Sequence, residues 1–358
     1  MPELKVQYTD FSEWQTSSAN EQRSKEQELY WLHQFEGDLP ALDLPADYPR
    51  PSQLSMEGKR LTMRLDEPLT KRLRKLASDT GTTLFMVMLS AYKVLLNKYT
   101  GQDDLVVGTP VSGRSHPDIE PLIGVFINTV AIRSFPAKDK GFREYLEEVQ
   151  RSSLAAFDNQ DYPFELLVEK LNLQRDASRN PLFDTMFILQ NMDMETISGA
   201  GVTFRPQEKN PGVSPYDLTL SAEDWKGEEI TLNLDYSTRL FKQDKAERVL
   251  SHYVNILDAV ADNADVRLSR IDLLSAEERR HLLMDFNKTE LLYDRDLTVD
   301  ELFQLQALRT PDSVAVVWEN KHYSYKDLDM KSSRFAASLR KKRGRAWNNC
   351  RRDGYPLV

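Results

Sequence analysis

The spacing of apolar residues along the chain predicts alternating helices and strands. Residues 20–35 are expected to form a helix with Leu29, Leu32 and Phe35 on one side. Further helices are predicted around the stripe 69–77 and at 83–99, 141–158, 243–262 and 276–285. Strands are predicted at 58–66, 105–107, 126–132, 184–191, 216–224 and 229–236. Alternation of this kind favours a layered α/β architecture.

A proline-rich stretch and a polar interruption divide this pattern. Residues 36–55 contain four prolines and are expected to form an extended connector, because proline lacks a backbone donor. A boundary is expected within 263–300. Residues 298–342 then predict a small second unit of helix, strand, turn, strand and helix. A unit of this size buries little core and is expected to be marginally stable alone.

Composition excludes several classes of function. The chain has 358 residues, of which 40% are apolar and 29% charged, as in globular proteins of about two domains. A formal charge of -9 argues against a nucleic-acid partner. The longest apolar run, 84–89, is too short to span a membrane, and residues 1–5 lack a secretory leader pattern. The single cysteine, Cys350, excludes an internal disulfide and a cysteine-based zinc site. These features favour a cytoplasmic location.

Five motifs point to one family. They are Gln7-Tyr8-Thr9-Asp10-Phe11-Ser12-Glu13-Trp14-Gln15, Gly108-Thr109-Pro110-Val111-Ser112-Gly113-Arg114, Leu122-Ile123-Gly124-Val125-Phe126-Ile127-Asn128-Thr129, Asn159-Gln160-Asp161-Tyr162-Pro163-Phe164-Glu165 and Arg175-Asp176-Ala177-Ser178-Arg179-Asn180-Pro181-Leu182-Phe183. In this order and spacing the set resembles the condensation domain of nonribosomal peptide synthetases. The resemblance implies that residues 1–268 form the C-terminal lobe of a two-lobed, chloramphenicol-acetyltransferase-like α/β fold.

The remaining residues resemble the region that follows such a domain. Residues 298–342, with Thr310-Pro311-Asp312 and Tyr323-Ser324-Tyr325-Lys326-Asp327-Leu328, resemble the first segment of an adenylation domain, and 269–297 resemble the linker before it. Residues 343–358 depart from the adenylation pattern. Read one base later, their codons can encode a peptide that resembles the next adenylation strand, so we hypothesise a frameshift near Lys342.

The family's catalytic signature, His-His-x-x-x-Asp-Gly, is absent from this sequence. No two of the five histidines adjoin, so we assign no catalytic residue. The resemblance therefore predicts a truncated fragment that lacks the N-terminal lobe and is inactive alone. The family usually also has histidine where Asn159 stands.

Four residues are candidates for lining a substrate tunnel between the two lobes: Ser112, Asn128, Tyr216 and Asp217. For Ser112 we favour a structural role, because Gly108, Pro110 and Gly113 suffice to shape a turn after a strand. For Asn128 the choice between substrate contact and local backbone bonding is open.

Six further motif residues are expected to be structural: Asp161, Pro163, Arg175, Asp176, Arg179 and Asn180. Asp161 and Pro163 fit a helix start, with Asp161 as its cap. The others are expected to anchor the strand that begins at Pro181, with an arginine on Asp176. The basic cluster Lys71, Arg72, Arg74 and Lys75 suits a solvated helix face, or less simply a site for an acidic carrier protein.

The resemblance implies peptide-bond formation between aminoacyl or peptidyl thioesters in the biosynthesis of a peptide antibiotic or lipopeptide. The expected partners are peptidyl carrier proteins, which hold the substrates on phosphopantetheine arms, or other synthetase domains. We expect no directly bound cofactor and no metal. The alternatives are a non-catalytic module that binds carrier proteins or complements a separate lobe, and a pseudogene product.

Overall fold

The structure is a computed structural model that describes residues 4–174, 176–191, 197–199, 202–204, 212–225, 229–290 and 297–342. Arg175 and the tail 343–358 therefore lie outside the described residues. The chain divides into two compact units on either side of the bond between Leu282 and Leu283.

The described helices and strands alternate along the chain. The helices are α1 (Tyr8–Thr16), α2 (Ser18–Gln34), α3 (Glu67–Asp79), α4 (Leu84–Thr100), α5 (Phe142–Asp158), α6 (Phe164–Lys170), α7 (Gln243–Asp262), α8 (Ala276–Arg280), α9 (Val299–Arg309) and α10 (Tyr325–Lys342). The strands are β1 (Gly58–Arg64), β2 (Leu105–Val111), β3 (Asn128–Ser134), β4 (Thr185–Gln190), β5 (Ile197–Gly199), β6 (Val202–Phe204), β7 (Leu218–Trp225), β8 (Glu229–Ser237), β9 (Val314–Trp318) and β10 (Lys321–Ser324). The predicted α/β class is confirmed.

The first unit is built on a mixed sheet of six strands in the order β1-β8-β7-β4-β2-β3. Strand β4 runs parallel to both β2 and β7, and the outer pairs are antiparallel. Parallel neighbours cannot be joined by a tight turn, so the chain crosses through α5 and α6 between β3 and β4. β5 and β6 form a separate two-stranded hairpin.

Helix α4 lies at the centre of the helix layer, in contact with α3, α5 and α7. Its residues from Met86 to Asn97 are all buried, as its nearly continuous apolar sequence predicts. Thr83 caps its start by accepting from Met86 N, and Gly101 ends it with a positive φ of 72°. The sequence therefore sets both ends of this central helix.

The predicted face of α2 is right for Phe35, which is buried, but wrong for Leu29. Leu29 is 68% exposed, whereas Trp31 and Gln27 are buried with Phe35. Hydrogen bonds explain the difference. Trp31 Nε1 donates to Asn159 O at 2.9 Å, and Gln27 Nε2 donates to Asp158 O at 3.3 Å. Apolar spacing alone does not reveal a face that binds backbone carbonyls.

The second unit contains α9, the β9–β10 hairpin and α10. A capping box between Thr298 and Glu301 begins α9, and Phe303 packs its ring 6.0 Å from that of Tyr325. Several apolar side chains stay exposed, including Val317, Trp318 and Phe335. The described part of this unit therefore buries few apolar residues.

Candidate functional site

One face of the six-stranded sheet is lined by polar side chains. Strand alternation directs Leu218, Leu220 and Leu234 into the core. The opposite face of β1, β7 and β8 holds a set that we call the polar face: Arg60, Thr62, Thr219, Ser221, Glu223, Asn233 and Asp235. The register places Arg60 beside Asp235 and Thr62 beside Asn233, so cross-strand pairs form directly.

Arg60 and Asp235 form a two-pronged ion pair on the polar face. The Arg60 guanidinium donates through Nε to Asp235 Oδ1 and through Nη2 to Oδ2, both at 2.7 Å. Fork geometry of this kind fixes both side chains in orientation. The pair sets the outer end of the polar face, at the sheet edge formed by β1.

A chain of hydrogen bonds crosses three strands beside that pair. Thr62 Oγ1 donates to Asn233 Oδ1 at 2.7 Å, and Asn233 Nδ2 donates to Glu223 Oε1 at 2.8 Å. Ser221 Oγ reaches the backbone oxygen of Asn233 at 3.4 Å. These groups are preorganised donors and acceptors on a rigid sheet, which suits them to orient a polar substrate or a covering polypeptide.

No residue of the polar face was predicted from the sequence as a site residue, apart from the general pattern of strands. The signal was present, because polar residues recur at every second position in Thr219-Leu220-Ser221-Ala222-Glu223 and in Thr231-Leu232-Asn233-Leu234-Asp235. The strand order brings these stretches together, and it is not visible in either stretch alone.

Tyr216 and Asp217 lie just before β7, beside a small cavity that is also lined by Arg50, Ser178 and Leu240. Arg50 Nη1 donates to Asp217 Oδ1 at 3.0 Å, and Nη2 pairs with Oδ2. The Asp217 carboxylate is buried, and Arg50 compensates its negative charge. The carboxylate therefore faces Arg50 and is not presented to a substrate.

A second buried pair lies next to the first. Arg179 binds the Asp184 carboxylate through Oδ2, and Asp184 Oδ1 has no hydrogen-bond partner among the described residues. Burial, reinforced by the negative charge of Asp217, raises the pKa of Asp184 against the effect of Arg179. Two arginines and two aspartates thus join the proline-rich connector and the 176–184 segment to the sheet.

Ser112 and Asn128 lie at the opposite end of the sheet from Tyr216 and Asp217. Ser112 follows Val111, which pairs with Asn128. Gly108 pairs with Met186, which pairs with Thr219, so Ser112 and Asp217 differ by six residues along the strand direction. At about 3.3 Å per residue that is about 20 Å. The structure brings the four tunnel candidates together as two pairs, not as one cluster.

Asn128 uses both ends of its amide on the backbone. Nδ2 donates to Gln160 O at 2.7 Å and to Tyr162 O at 2.8 Å, and Oδ1 accepts from Thr129 N and Phe164 N. Ser112 is exposed, and its hydroxyl accepts from Arg114 N at 3.4 Å. The side chain of Asn128 therefore fastens the 159–164 motif to β3.

The 159–165 motif contacts α2. Tyr162 Oη donates to Glu28 Oε2 at 2.7 Å. Asp161 pairs with Arg23 and does not cap the following helix, contrary to our prediction. Pro163, with extended backbone angles, occupies the N-cap position itself, which leaves Asp161 two residues before it and free to turn toward α2.

The 175–183 motif forms a compact turn around Asp176. Asp176 Oδ1 accepts from Ser178 N at 2.8 Å and from Ser178 Oγ at 2.6 Å, whereas Arg179 Nε is 3.9 Å from Asp176 Oδ2. Arg179 makes its closer contact with Asp184 instead. Asn180 Nδ2 donates to Pro215 O at 2.8 Å and so ties this turn to the start of β7.

The histidines do not form a catalytic group with one another. His33, His116, His281 and His322 are exposed, and His252 is buried. Among the described residues, no three of His, Cys, Asp or Glu converge in a way that could hold a metal ion. Within the same part of the chain, no helix has the length and apolar content needed to cross a bilayer.

The fold is similar to that of a solved holo four-domain nonribosomal peptide synthetase bound to AMP and glycine. The TM-score is 0.79 at 23% identity, over 88% of this chain and 25% of that one. At that identity the likeness concerns the fold alone, and it is the α/β fold of condensation domains.

A family profile described as "Condensation domain" matches residues 1–283. The chain belongs to the condensation-domain family, which confirms that part of our sequence prediction. It is 45% identical over 344 residues to gramicidin S synthase 2 of Brevibacillus brevis, covering 96% of this chain and 8% of that protein. It is 47% identical over 341 residues to tyrocidine synthase 3 of Brevibacillus parabrevis, covering 95% of this chain and 5% of that protein. The chain thus spans less than a tenth of the length of these relatives.

Proposed function

We propose that residues 1–268 form the C-terminal lobe of a condensation domain in a nonribosomal peptide synthetase that makes a peptide antibiotic or lipopeptide. The family match over residues 1–283 is the observation that chiefly supports this function. The gramicidin S and tyrocidine synthases, with 45% and 47% identity over nearly the whole chain, support the class of product.

In the proposed reaction, the amine of an acceptor aminoacyl group attacks the thioester carbonyl of a donor. An amide bond forms, the carbon–sulfur bond breaks, and the donor's thiol is released with the proton of the amine. Both substrates would arrive on the phosphopantetheine arms of peptidyl carrier proteins. Tethering supplies proximity, and the lobe would supply one wall that orients the two chains.

A group that orients or accepts the amine proton must come from elsewhere. The sequence has no His-His-x-x-x-Asp-Gly motif, and its one buried histidine, His252, is bonded to Tyr99 and Glu278 in the helix layer. We therefore propose that this 358-residue polypeptide does not catalyse condensation alone, and that an N-terminal lobe containing the motif completes the site.

The test is a condensation assay with loaded donor and acceptor carrier proteins, with and without the N-terminal lobe of a related synthetase. We expect dipeptide only when that lobe is added, and none when its second motif histidine is replaced by alanine. Dipeptide formation by the polypeptide alone would overturn the proposal.

The second candidate function is a non-catalytic module that binds a separate lobe. Ile123, Val125 and Ile127 alternate along the segment before β3 and are 93%, 78% and 71% exposed. An apolar row of this kind is costly in water and suits a covering protein surface. Capture of an added N-terminal lobe that is lost in Val125→Asp, but kept in Glu120→Gln, would support this function even without turnover.

A pseudogene product is the remaining alternative. It predicts a chain that aggregates or unfolds without a sharp transition, because exposed apolar rows promote association. A soluble monomer that melts cooperatively would count against it.

For the second unit, we propose that residues 298–342 are the opening segment of an adenylation domain and that 269–297 link it to the lobe. The alignments to both synthetases extend over 341 to 344 residues, well beyond the end of the family match at 283. We further propose that 343–358 follow a frameshift near Lys342, which sequencing of the gene would test through the alternative frame.

Carrier proteins remain proposed partners, but the basic cluster on α3 is a poor site for them. Lys71 pairs with Glu67, Arg72 with Asp258 and Arg74 with Asp224, so most of its charge is already compensated. Other domains of a synthetase are proposed as partners on the basis of the multidomain relatives.

A further inference from the structure

A second hydrogen-bonded group lies in the helix layer, away from the polar face and the tunnel candidates. Tyr99 Oη on α4 is 2.7 Å from His252 Nδ1 on α7. On its other side, His252 Nε2 is 3.1 Å and 3.2 Å from the two carboxylate oxygens of Glu278 on α8. His252 is 6% exposed, so both of its ring nitrogens are engaged within the protein.

The chemistry of the three groups sets the direction of the bonds. A carboxylate only accepts, so His252 Nε2 carries the proton that it donates to Glu278. In the neutral imidazole the other ring nitrogen, Nδ1, carries no proton and accepts from the Tyr99 hydroxyl. Burial raises the pKa of Tyr99 to about 12, with Arg248 and Glu278 as the nearby charges, so Tyr99 keeps its proton and acts as the donor. The relay therefore runs from Tyr99 through His252 to Glu278.

Glu278 is the least exposed residue of the 275–284 segment, and its carboxylate contacts His252 on α7. Within residues 275–284, every residue except Glu278 is exposed, and α8 buries no side chain. The preceding stretch is held by Asn255 Nδ2, which donates to Leu273 O at 2.7 Å. After Leu273, the burial of apolar side chains does not explain why α8 remains in contact with α7.

We propose that the Tyr99–His252–Glu278 relay is a clasp that holds the α8 segment, residues 275–282, on the condensation unit. Helix α7 supplies a docking site for one carboxylate: the buried imidazole of His252, whose Nε2 faces Glu278 and whose Nδ1 is occupied by Tyr99. The segment opens when this contact breaks, while the rest of the unit stays folded.

Limited proteolysis of the full chain tests the clasp, because Arg279 and Arg280 are trypsin sites within α8. Mass spectrometry would measure the rate of cleavage after these residues, which tracks the population of the open segment. We expect Glu278→Ala to increase that rate roughly tenfold, as for the loss of a charge-assisted hydrogen bond. Deuterium uptake at 276–282 should rise in parallel.

Glu277→Ala is the matched control. Glu277 also lies in the first turn of α8 but is exposed, so this change removes the same charge from the helix start without touching His252. Equal cleavage rates in Glu277→Ala and Glu278→Ala would overturn the proposal, as would no change in either.

Tyr99→Phe tests the relay itself and keeps the packing of the ring. We expect a several-fold increase in cleavage in the otherwise unchanged chain and none in the Glu278→Ala background, because Tyr99 acts through the same contact. Additive effects would contradict a relay. An unchanged urea midpoint for the first unit would show that the clasp opened without global unfolding.

Discussion

Lys93 lies on α4 with no exposed surface. Its ammonium donates to Ile132 O at 2.9 Å, and no carboxylate forms an ion pair with it among the described contacts. Burial lowers its pKa to about 7, and the more distant charge of Glu148 opposes that shift. Burial of a protonated lysine here lowers the free energy of unfolding, and other interactions in the fold must offset that loss.

This residue predicts how stability depends on pH. The pKa of Lys93 is lower in the folded chain, so between about 7 and the unfolded value near 10.5 the unfolded state binds more protons and stability rises with pH. Lys93→Met removes that dependence. Urea unfolding at pH 6 and 9.5 should find the variant more stable at pH 6, by on the order of a few kcal/mol. At pH 9.5 we expect no gain, or a small loss from the unpaired Ile132 O. A difference that is the same at both pH values would contradict this.

Asn128 and Ser112 give a matched test at one end of the sheet. Asn128→Ala removes four hydrogen bonds to the backbone of β3 and the 159–164 motif, so we expect a loss of about 2–3 kcal/mol in unfolding free energy. Ser112→Ala should change it by less than about 0.5 kcal/mol, because Ser112 is exposed. Denaturant titration of both variants would check this. Equal, small effects would mean that the amide bonds of Asn128 contribute little.

At the scale of elements, the periodicity of apolar residues predicted which segments form helices and strands better than it predicted which of their faces are buried. The predicted helix at 243–262 coincides with α7, and the predicted strand at 58–66 overlaps β1. The strand predicted at 126–132 begins instead at Asn128, since Phe126 belongs to a small cluster with Ile119 and Leu122. For α6, the start was predicted near Pro163 but the extent was not, because seven residues are too few to show helical periodicity.

Arg133 on β3 is an anchor between elements. Its guanidinium forks onto Asp104 at 3.0 Å and 2.7 Å and donates to the carbonyls of Gln34, Glu36 and Asp38. Lysine cannot make this set of bonds from one position. We expect Arg133→Lys to cost about 2–4 kcal/mol and to increase deuterium uptake in residues 36–44, where the connector begins.

The control for that change is Arg143→Lys. Arg143 also forks onto an aspartate, Asp265, but the pair is largely exposed and should contribute less than about 1 kcal/mol. Comparable losses in the two variants would show that the two-pronged contact with an aspartate, rather than the carbonyl contacts, explains the role of Arg133.

For the whole molecule, the motifs predicted the family but not the arrangement of the site. The 159–165 and 175–183 motifs were recognisable as sequence, yet they bind Glu28, 134 residues from Tyr162, and Pro215, 35 residues from Asn180. The polar face depends on the order of β1, β8 and β7. Contacts of this range follow from the topology of the sheet, which local propensity does not specify.

The division into two units predicts two separate unfolding transitions. Leu250 is buried in the first unit, so Leu250→Ala should lower its transition by the equivalent of about 2–5 kcal/mol and leave the second unchanged.

Phe303→Ala removes the packing against Tyr325 in the second unit and should lower only the weaker, lower-temperature transition. Scanning calorimetry of the full chain and both variants would measure this, with circular dichroism to follow helix loss. If each variant shifts both transitions, or if one transition accounts for all the heat, the two units fold as one.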